Sequence, residues 1–258
     1  MNAHLGGHVV LITGAAGRIG SATARMLGAQ GSHLIISDIN EKALEQLGQE
    51  LQESFGNDVA IIPADASSTA GIRELLSSAI ECHPRVHAAV HSAYPRSQNW
   101  GARIEDVEEA SLSQDLSMQM GGAILFSKAM MKHFQKHGGG NLVHVSSIQG
   151  ISAPKFDHYA DTSMHSPIEY AAIKAGVISI TRWLAKYYSN QNIRVNCVSP
   201  GGISEDQPES FVKRYFESCT NIGMLSAEQV AGSICFLLSS QSVAINGQNL
   251  IVDDGWSL

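Results

Sequence analysis

Only four cysteines occur in the 258 residues, Cys82, Cys197, Cys219 and Cys235, and no two form a CxxC pair. That excludes a dense disulfide framework and a zinc site of the usual spacing, and it fits a reduced, cytoplasmic setting. Charge is also sparse and lopsided. Seventeen basic residues against 24 acidic ones leave a formal net charge of −7, which sets the molecule as a whole against nucleic acid and anionic membrane as partners. No apolar run is long enough to span a bilayer, and the opening MNAHLGGHVVLITG has neither a basic n-region nor a signal-peptide core. Glycine, by contrast, is plentiful at 24 residues against seven prolines. Glycine weakens helices and strands, so it belongs where backbone geometry demands it, and its placement is informative.

Short β-branched apolar runs alternate with stretches of helical periodicity, the pattern of repeated βα units on a parallel sheet. Strands are predicted at His8 to Thr13, His33 to Ser37, Val59 to Pro63, Val86 to His91, Asn141 to Val145, Arg194 to Val198 and Asn249 to Val252. Helices are predicted near Arg18 to Gln30, Glu41 to Phe55, Thr69 to Cys82, Ala110 to His137, Pro167 to Ser189 and Ala227 to Ser239. The continuous apolar character of the strands implies helices on both faces. The expectation is an α/β Rossmann fold, a doubly wound seven-stranded parallel sheet in one domain over 1–258, with ligand chemistry at the carboxyl ends of the strands. Two segments break the alternation, an insertion at 151–166 and a substrate-side segment at 201–220 with an amphipathic stretch from Phe211 to Cys219. Long connections of this kind are lids or binding loops.

In VVLITGAAGRIG a strand runs into a helix through Gly14, Gly17 and Gly20. Such a turn admits a pyrophosphate to backbone N–H groups and a helix N-terminus; alone it is equally a tight strand-to-helix turn. Asp38 ends the second strand, where a carboxylate accepts hydrogen bonds from both adenosine ribose hydroxyls and repels a 2′-phosphate, favouring NAD over NADP. Arg18 argues the other way, since a guanidinium in the turn suits a phosphate. Asp65, at the end of the third strand, is placed for the adenine ring or, alternatively, for a helix N-terminus. In YAAIK, Tyr170 and Lys174 share one helix face, and a lysine there favours the phenolate of a tyrosine that must titrate roughly three units below its ordinary value to act near neutrality. Ser147 in VSSIQG can hydrogen-bond a substrate oxygen, whereas Ser146 is expected to face the sheet. Pro200 and Gly201 make a rigid turn able to hold a carboxamide.

Together TGAAGRIG, Asp38, Asp65, SSIQG, YxxxK, NxVxPGG and GQNLIVDDGW, in that order, resemble the short-chain dehydrogenase/reductase family over essentially the whole chain. The resemblance implies Tyr170 as general acid/base, Lys174 binding the nicotinamide ribose and lowering the tyrosine pKa, and Ser147 polarising the substrate oxygen. It further implies cofactor contacts from Gly14, Gly17, Arg18, Ile19, Gly20, Asp38, Asp65, Ala66, Ser92, Ala93, Tyr170, Lys174, Pro200, Gly201 and Ile203. It also implies a small-molecule substrate and a homodimer or homotetramer built through the helices carrying the methionine-rich segment and Tyr170.

The departures are specific. Arg18 replaces the middle glycine of the turn, and His91, Ser92, Ala93 and Tyr94 replace the family's NNAG, putting a phenol where glycine is usual. Gln119 aligns with the helical asparagine of the catalytic tetrad. Ser147 and Tyr170 are 23 residues apart, a longer gap than the family usually shows. With SAYPR, APKFDHY and SMHSPIEYAAIK, the chain is similar to a narrower flagellin-modification type of these oxidoreductases, which implies a sugar or sugar phosphate of nonulosonic acid synthesis as substrate. Candidate substrate contacts are Tyr94, Arg96, Gln149, Lys155 and His158, because an anionic sugar needs local cations on an acidic chain. No catalytic metal is expected: His83, His87 and His91 fall across a proline break and a strand, and His133 with His137 reads as a frayed helix end. The competing readings are a dinucleotide-binding scaffold with weak or no catalysis and a general carbonyl reductase.

Overall fold

A computed structural model describes residues 5–258. The elements run β1 (Val9–Thr13), α1 (Arg18–Ala29), β2 (His33–Ser37), α2 (Glu41–Phe55), β3 (Val59–Ile61), α3 (Thr69–Cys82), β4 (Ala88–His91), α4 (Glu109–Asp115), α5 (Gly122–Lys136), β5 (Gly140–Val145), α6 (Ile168–Tyr187), β6 (Ile193–Pro200), α7 (Glu209–Phe216), α8 (Ala227–Leu238) and β7 (Asn249–Val252). All seven strands pair in parallel in the order β3-β2-β1-β4-β5-β6-β7. The order reverses between β1 and β4, which is where a doubly wound sheet opens a crevice.

Strand alternation explains the unbroken apolar runs. In β1, Val10 and Ile12 enter the core under α1, α2 and α8, while Val9 and Leu11 enter the core under α3, α5 and α6. In β2, Leu34 and Ile36 take the first side and Ile35 the second, as period-two side-chain alternation requires. A third, smaller core lies at the carboxyl end, where Ile148, Phe211, Tyr215 and Trp256 pack with Tyr159 and Met164. The insertion and the 201–220 segment therefore share one apolar cluster.

Several predicted boundaries move. The β3 strand stops at Ile61 rather than Pro63, and β4 begins at Ala88 rather than Val86, whose N–H instead donates to His133 Nε2 at 2.9 Å. His133 is thus a buried acceptor and not a frayed polar end. The β6 strand runs through Pro200, two residues past the expected end. The single helix expected from Ala110 to His137 is broken by a π-helical turn over Leu116–Gly121, and Gln119 sits within it. Such single-turn widenings concentrate at functional sites. The amphipathic stretch from Phe211 to Cys219 is helical through Phe216, in α7, which begins two residues earlier at Glu209.

The glycine turn after β1 is dictated by close approach. Gly14 has φ +66°, and a Cβ there would lie 2.6 Å from the Ser92 carbonyl oxygen. A Cβ on Gly20 would lie 2.1 Å from the Gly14 carbonyl oxygen, so α1 can begin this close to β1 only with glycine.

The centre of the sheet carries two buried imidazoles. His91 Nδ1 shares a hydrogen bond with Thr13 Oγ1 at 2.9 Å and its ring stacks on Phe126, while His144 is held between Ser127 Oγ and Thr181 Oγ1, each at 2.9 Å. Burial, with the charge of Lys174 adding to it, pushes their proton affinities down to about 3 for His91 and about 4 for His144. The unfolded chain therefore binds more protons than the folded one below the ordinary histidine value, and stability falls as pH drops through that window. Urea unfolding should give a stability lower by about 2.5 kcal/mol at about pH 5.5 than at pH 7 from this pair, and replacing His144 by Gln should remove about half of that pH dependence.

Candidate active site

A cleft of about 690 Å³ opens across the carboxyl ends of β1, β2, β4, β5 and β6. Twenty of the residues singled out from the sequence line it, from Gly14, Gly17, Ile19 and Gly20 at one end to Ser147, Gln149 and Tyr170 at the other. Two do not. Gln119 is buried with neither side-chain polar atom hydrogen-bonded, and it lies outside the lining; Lys155 is exposed and holds its ammonium 4.8 Å over the Trp256 ring.

The chemistry-bearing end is built from β5 and α6. Ser146 Oγ donates to the Lys174 carbonyl at 2.8 Å, so this serine bonds to α6, where the sequence predicts it facing the sheet. Ser147, one residue on, turns its hydroxyl the other way, where it accepts the Gln149 N–H at 3.2 Å on the side of the cleft that Tyr170 also lines. Burial raises the Tyr170 pKa above its ordinary value, and the Ser147 hydroxyl nearby works against that rise. Lys174, expected to lower this pKa, lies one helical turn further along α6. Its ammonium lies 5.4 Å from the Tyr170 ring centre and donates to the Val145 carbonyl at 3.1 Å, and burial brings its own pKa down to about 8.

At the opposite end Asp38 receives the Ala16 N–H on Oδ2 at 3.1 Å and the Asn40 N–H on Oδ1 at 3.0 Å, which fixes the carboxylate at the lip of the glycine turn. Asp65 faces the cleft while accepting the Ser67 N–H and hydroxyl on Oδ1. Burial works against its charge, but these bonds and one from Ser68 leave its pKa below the usual value. Arg18 lines the cleft but is already engaged. Its Nη1 pairs with Glu205 at 3.0 Å and donates to the Ile203 carbonyl, tying the glycine turn to the 201–220 segment. Ala66, Ser92, Ala93, Pro200 and Gly201 line the stretch between the two ends.

The substrate side contains a residue that sequence reasoning missed. Trp100 stands perpendicular to Tyr94 at 5.5 Å, and both rings lie against Tyr170, at 6.0 and 5.7 Å. The nearest sequence signal was SAYPR itself, which ends four residues before this indole. Arg96 sits over the Tyr94 ring at 5.4 Å. Gln149 ties the insertion to the strand end, donating to Tyr159 and accepting from Ser166 Oγ at 2.6 Å. His158 is buried, shares a hydrogen bond with Ser218 Oγ at 2.9 Å, and packs on Phe211, Tyr215 and Trp256. It packs against the third core, and burial, first among the causes, lowers its pKa. No group of three or more His, Cys, Asp or Glu among the described residues is arranged to hold a metal ion, and no helix among them is long and apolar enough to cross a membrane.

With this geometry in view, the comparisons are specific. Residues 14–257 match the family described as enoyl-(acyl carrier protein) reductase. The post-translational flagellin modification protein A of Campylobacter coli is 37% identical over 97% of this chain and 98% of its own length. A 7alpha-hydroxysteroid dehydrogenase of Bacteroides fragilis is 28% identical over 97% and 94%. A short chain dehydrogenase of Leptospira borgpetersenii, solved with bound NAD+, superposes with a TM-score of 0.87 at 27% identity, covering 99% of this chain and 94% of that one. The chain belongs to the short-chain dehydrogenase/reductases, dinucleotide-dependent oxidoreductases of small molecules.

The insertion and α7 are clamped by Arg214, which donates to the Ala160 carbonyl and pairs with Asp161 at 3.0 Å. Replacing Arg214 by Ala should speed amide hydrogen exchange selectively across 155–162 and 209–216, with the sheet strands unchanged. Equal protection in both segments would show that the aromatic cluster alone holds them.

Proposed function

We propose that this chain is an NAD-dependent oxidoreductase acting on a secondary alcohol or ketone of a sugar or sugar phosphate, in the cytoplasm and as a homodimer or homotetramer. The observation that carries the reading is the alignment of Asp38, the glycine turn, Lys174, Tyr170 and Ser147 along one continuous cleft. The cradle fits a dinucleotide: no side chain fills the turn at Gly14, Gly17 and Gly20, and the Asp38 carboxylate is held at its rim by two backbone N–H groups. The relation to flagellin modification protein A supports a glycan-linked substrate. Exposed Ile124 on α5, with Trp183 and Tyr187 on α6, supports self-association through that pair of helices. Four free thiols support a reducing compartment.

When bound, the nicotinamide ring gives or takes the hydride. Tyr170 then gives or takes the proton at the substrate oxygen, and Ser147 donates a hydrogen bond to that same oxygen. Lys174, one helical turn after Tyr170, supplies positive charge beside the phenol. Gln119, buried in the π-helical turn with both polar atoms free of protein partners, is assigned to hold a relay water. Asp38 selects NAD, because a carboxylate repels a 2′-phosphate and Arg18 is drawn away by Glu205.

Turnover of a panel of sugar ketones and sugar phosphates, followed by nicotinamide absorbance, tests the substrate class. Reaction with apolar ketones alone would overturn the sugar assignment. In the same assay Tyr170→Phe should lower kcat by at least about a thousandfold with NADH affinity unchanged. Retained turnover would remove Tyr170 as acid/base. Replacing Asp38 by Ala should weaken NADH binding about tenfold and narrow the preference over NADPH, read by titration of nicotinamide fluorescence.

A further inference from the structure

The Lys174 ammonium sits in an electrostatic setting that its assigned role does not explain. It is buried, and among the described residues no carboxylate lies within ion-pairing distance of it. One of its three N–H groups reaches the Val145 carbonyl. What else faces it is aromatic or neutral. Tyr170 approaches from its own helix with the ring centre at 5.4 Å, and Tyr94 approaches from the loop after β4 at 5.3 Å. The imidazoles of His91 on β4 and His144 on β5 feel its charge and stay unprotonated. Arg96 adds a second cation over the Tyr94 ring. Trp100 braces that ring edge-on.

A desolvated ammonium within about 6 Å of an aromatic face is stabilised by the ring quadrupole, most strongly when water is excluded. We propose that Tyr94 is a positioning residue for Lys174: its ring face stands in for a missing counter-charge, keeps the ammonium protonated in the buried site, and pins it beside Tyr170. The inference rests on the reading of Tyr170 and Lys174 as a working pair. It goes beyond that reading by assigning a role to the phenol that replaces a glycine at the end of β4.

The test reads the lysine directly. Protein labelled with ¹³C-lysine is titrated by NMR, and the Lys174 Cε signal is identified by its loss in Lys174→Arg. Tyr94→Leu and Tyr94→Met keep most of the ring's bulk without its π face, and should lower the Lys174 midpoint by about 0.5–1 pH unit. Tyr94→Phe, which keeps the face, should stay within about 0.3 unit of the unsubstituted protein. Unmoved signals from the other lysines check the fold, and Met carries the comparison should Leu disturb it. A midpoint that is unchanged or raised in the aliphatic variants overturns the proposal, as does a Phe variant that shifts with them. Because the titration uses neither substrate nor cofactor, failure of the oxidoreductase reading would show in the turnover assay and leave this measurement standing.

Discussion

The active end of the molecule depends on a reciprocal lock between β5 and α6. Ser146 gives its hydroxyl to the Lys174 carbonyl, and Lys174 gives its ammonium to the Val145 carbonyl, so strand end and helix hold each other through both backbone and side chain. The approach is possible because residue 150 is glycine: a Cβ there would stand 2.7 Å from the Lys174 carbonyl carbon. Two consequences follow from period-two alternation at the strand end. Ser146 is consumed by the lock, and Ser147 is thereby presented to the Tyr170 phenol. A slip of one residue would exchange a structural hydroxyl for a reactive one.

The same economy governs the other half of the cleft. Because the sheet order reverses between β1 and β4, the chain leaving β1 must turn against the backbone that leaves β4, and Gly14 passes Ser92 and Ala93 with no room for a side chain. Asp38 reaches back to the Ala16 N–H across that turn. The carboxylate proposed to select NAD is thus also a strut of the turn proposed to receive the pyrophosphate. Arg18 extends the connection to Glu205, so the turn, the second strand and the substrate-side segment are linked through side chains at or beside one cavity.

Much of this was legible in the sequence for a simple reason. Strands buried on both faces must be continuously apolar, and the functional residues fall at strand ends or at helical spacing, where position in the chain determines position in space. What was not legible depends on which distant segments meet. Trp100 has no motif around it and becomes a cleft residue only because its loop folds back over Tyr170. His133 reads as a frayed end until Val86 brings its N–H to the ring. Lys155 reads as a substrate cation until Trp256, from the far end of the chain, takes it. The π-helical turn at Gln119 leaves no trace in the apolar periodicity, because one extra residue in a mostly buried helix hardly changes the pattern.

These contacts redefine the electrostatics of the substrate side. On an acidic chain the cations near the cleft were the natural anchors for an anionic ligand, yet most are already engaged. Arg18 is paired with Glu205, Arg214 with Asp161, and Lys155, itself not part of the cleft lining, lies over the Trp256 indole. Lys174 is committed to Val145 and to two phenol rings. Arg96 differs: its guanidinium is exposed, faces the cleft, and meets an aromatic face in place of a carboxylate. A phosphate or carboxylate on the substrate can therefore approach Arg96 without displacing an acidic partner. Its ring would then lie toward the corner made by Tyr94 and Trp100, and its reacting carbon toward Ser147 and Tyr170.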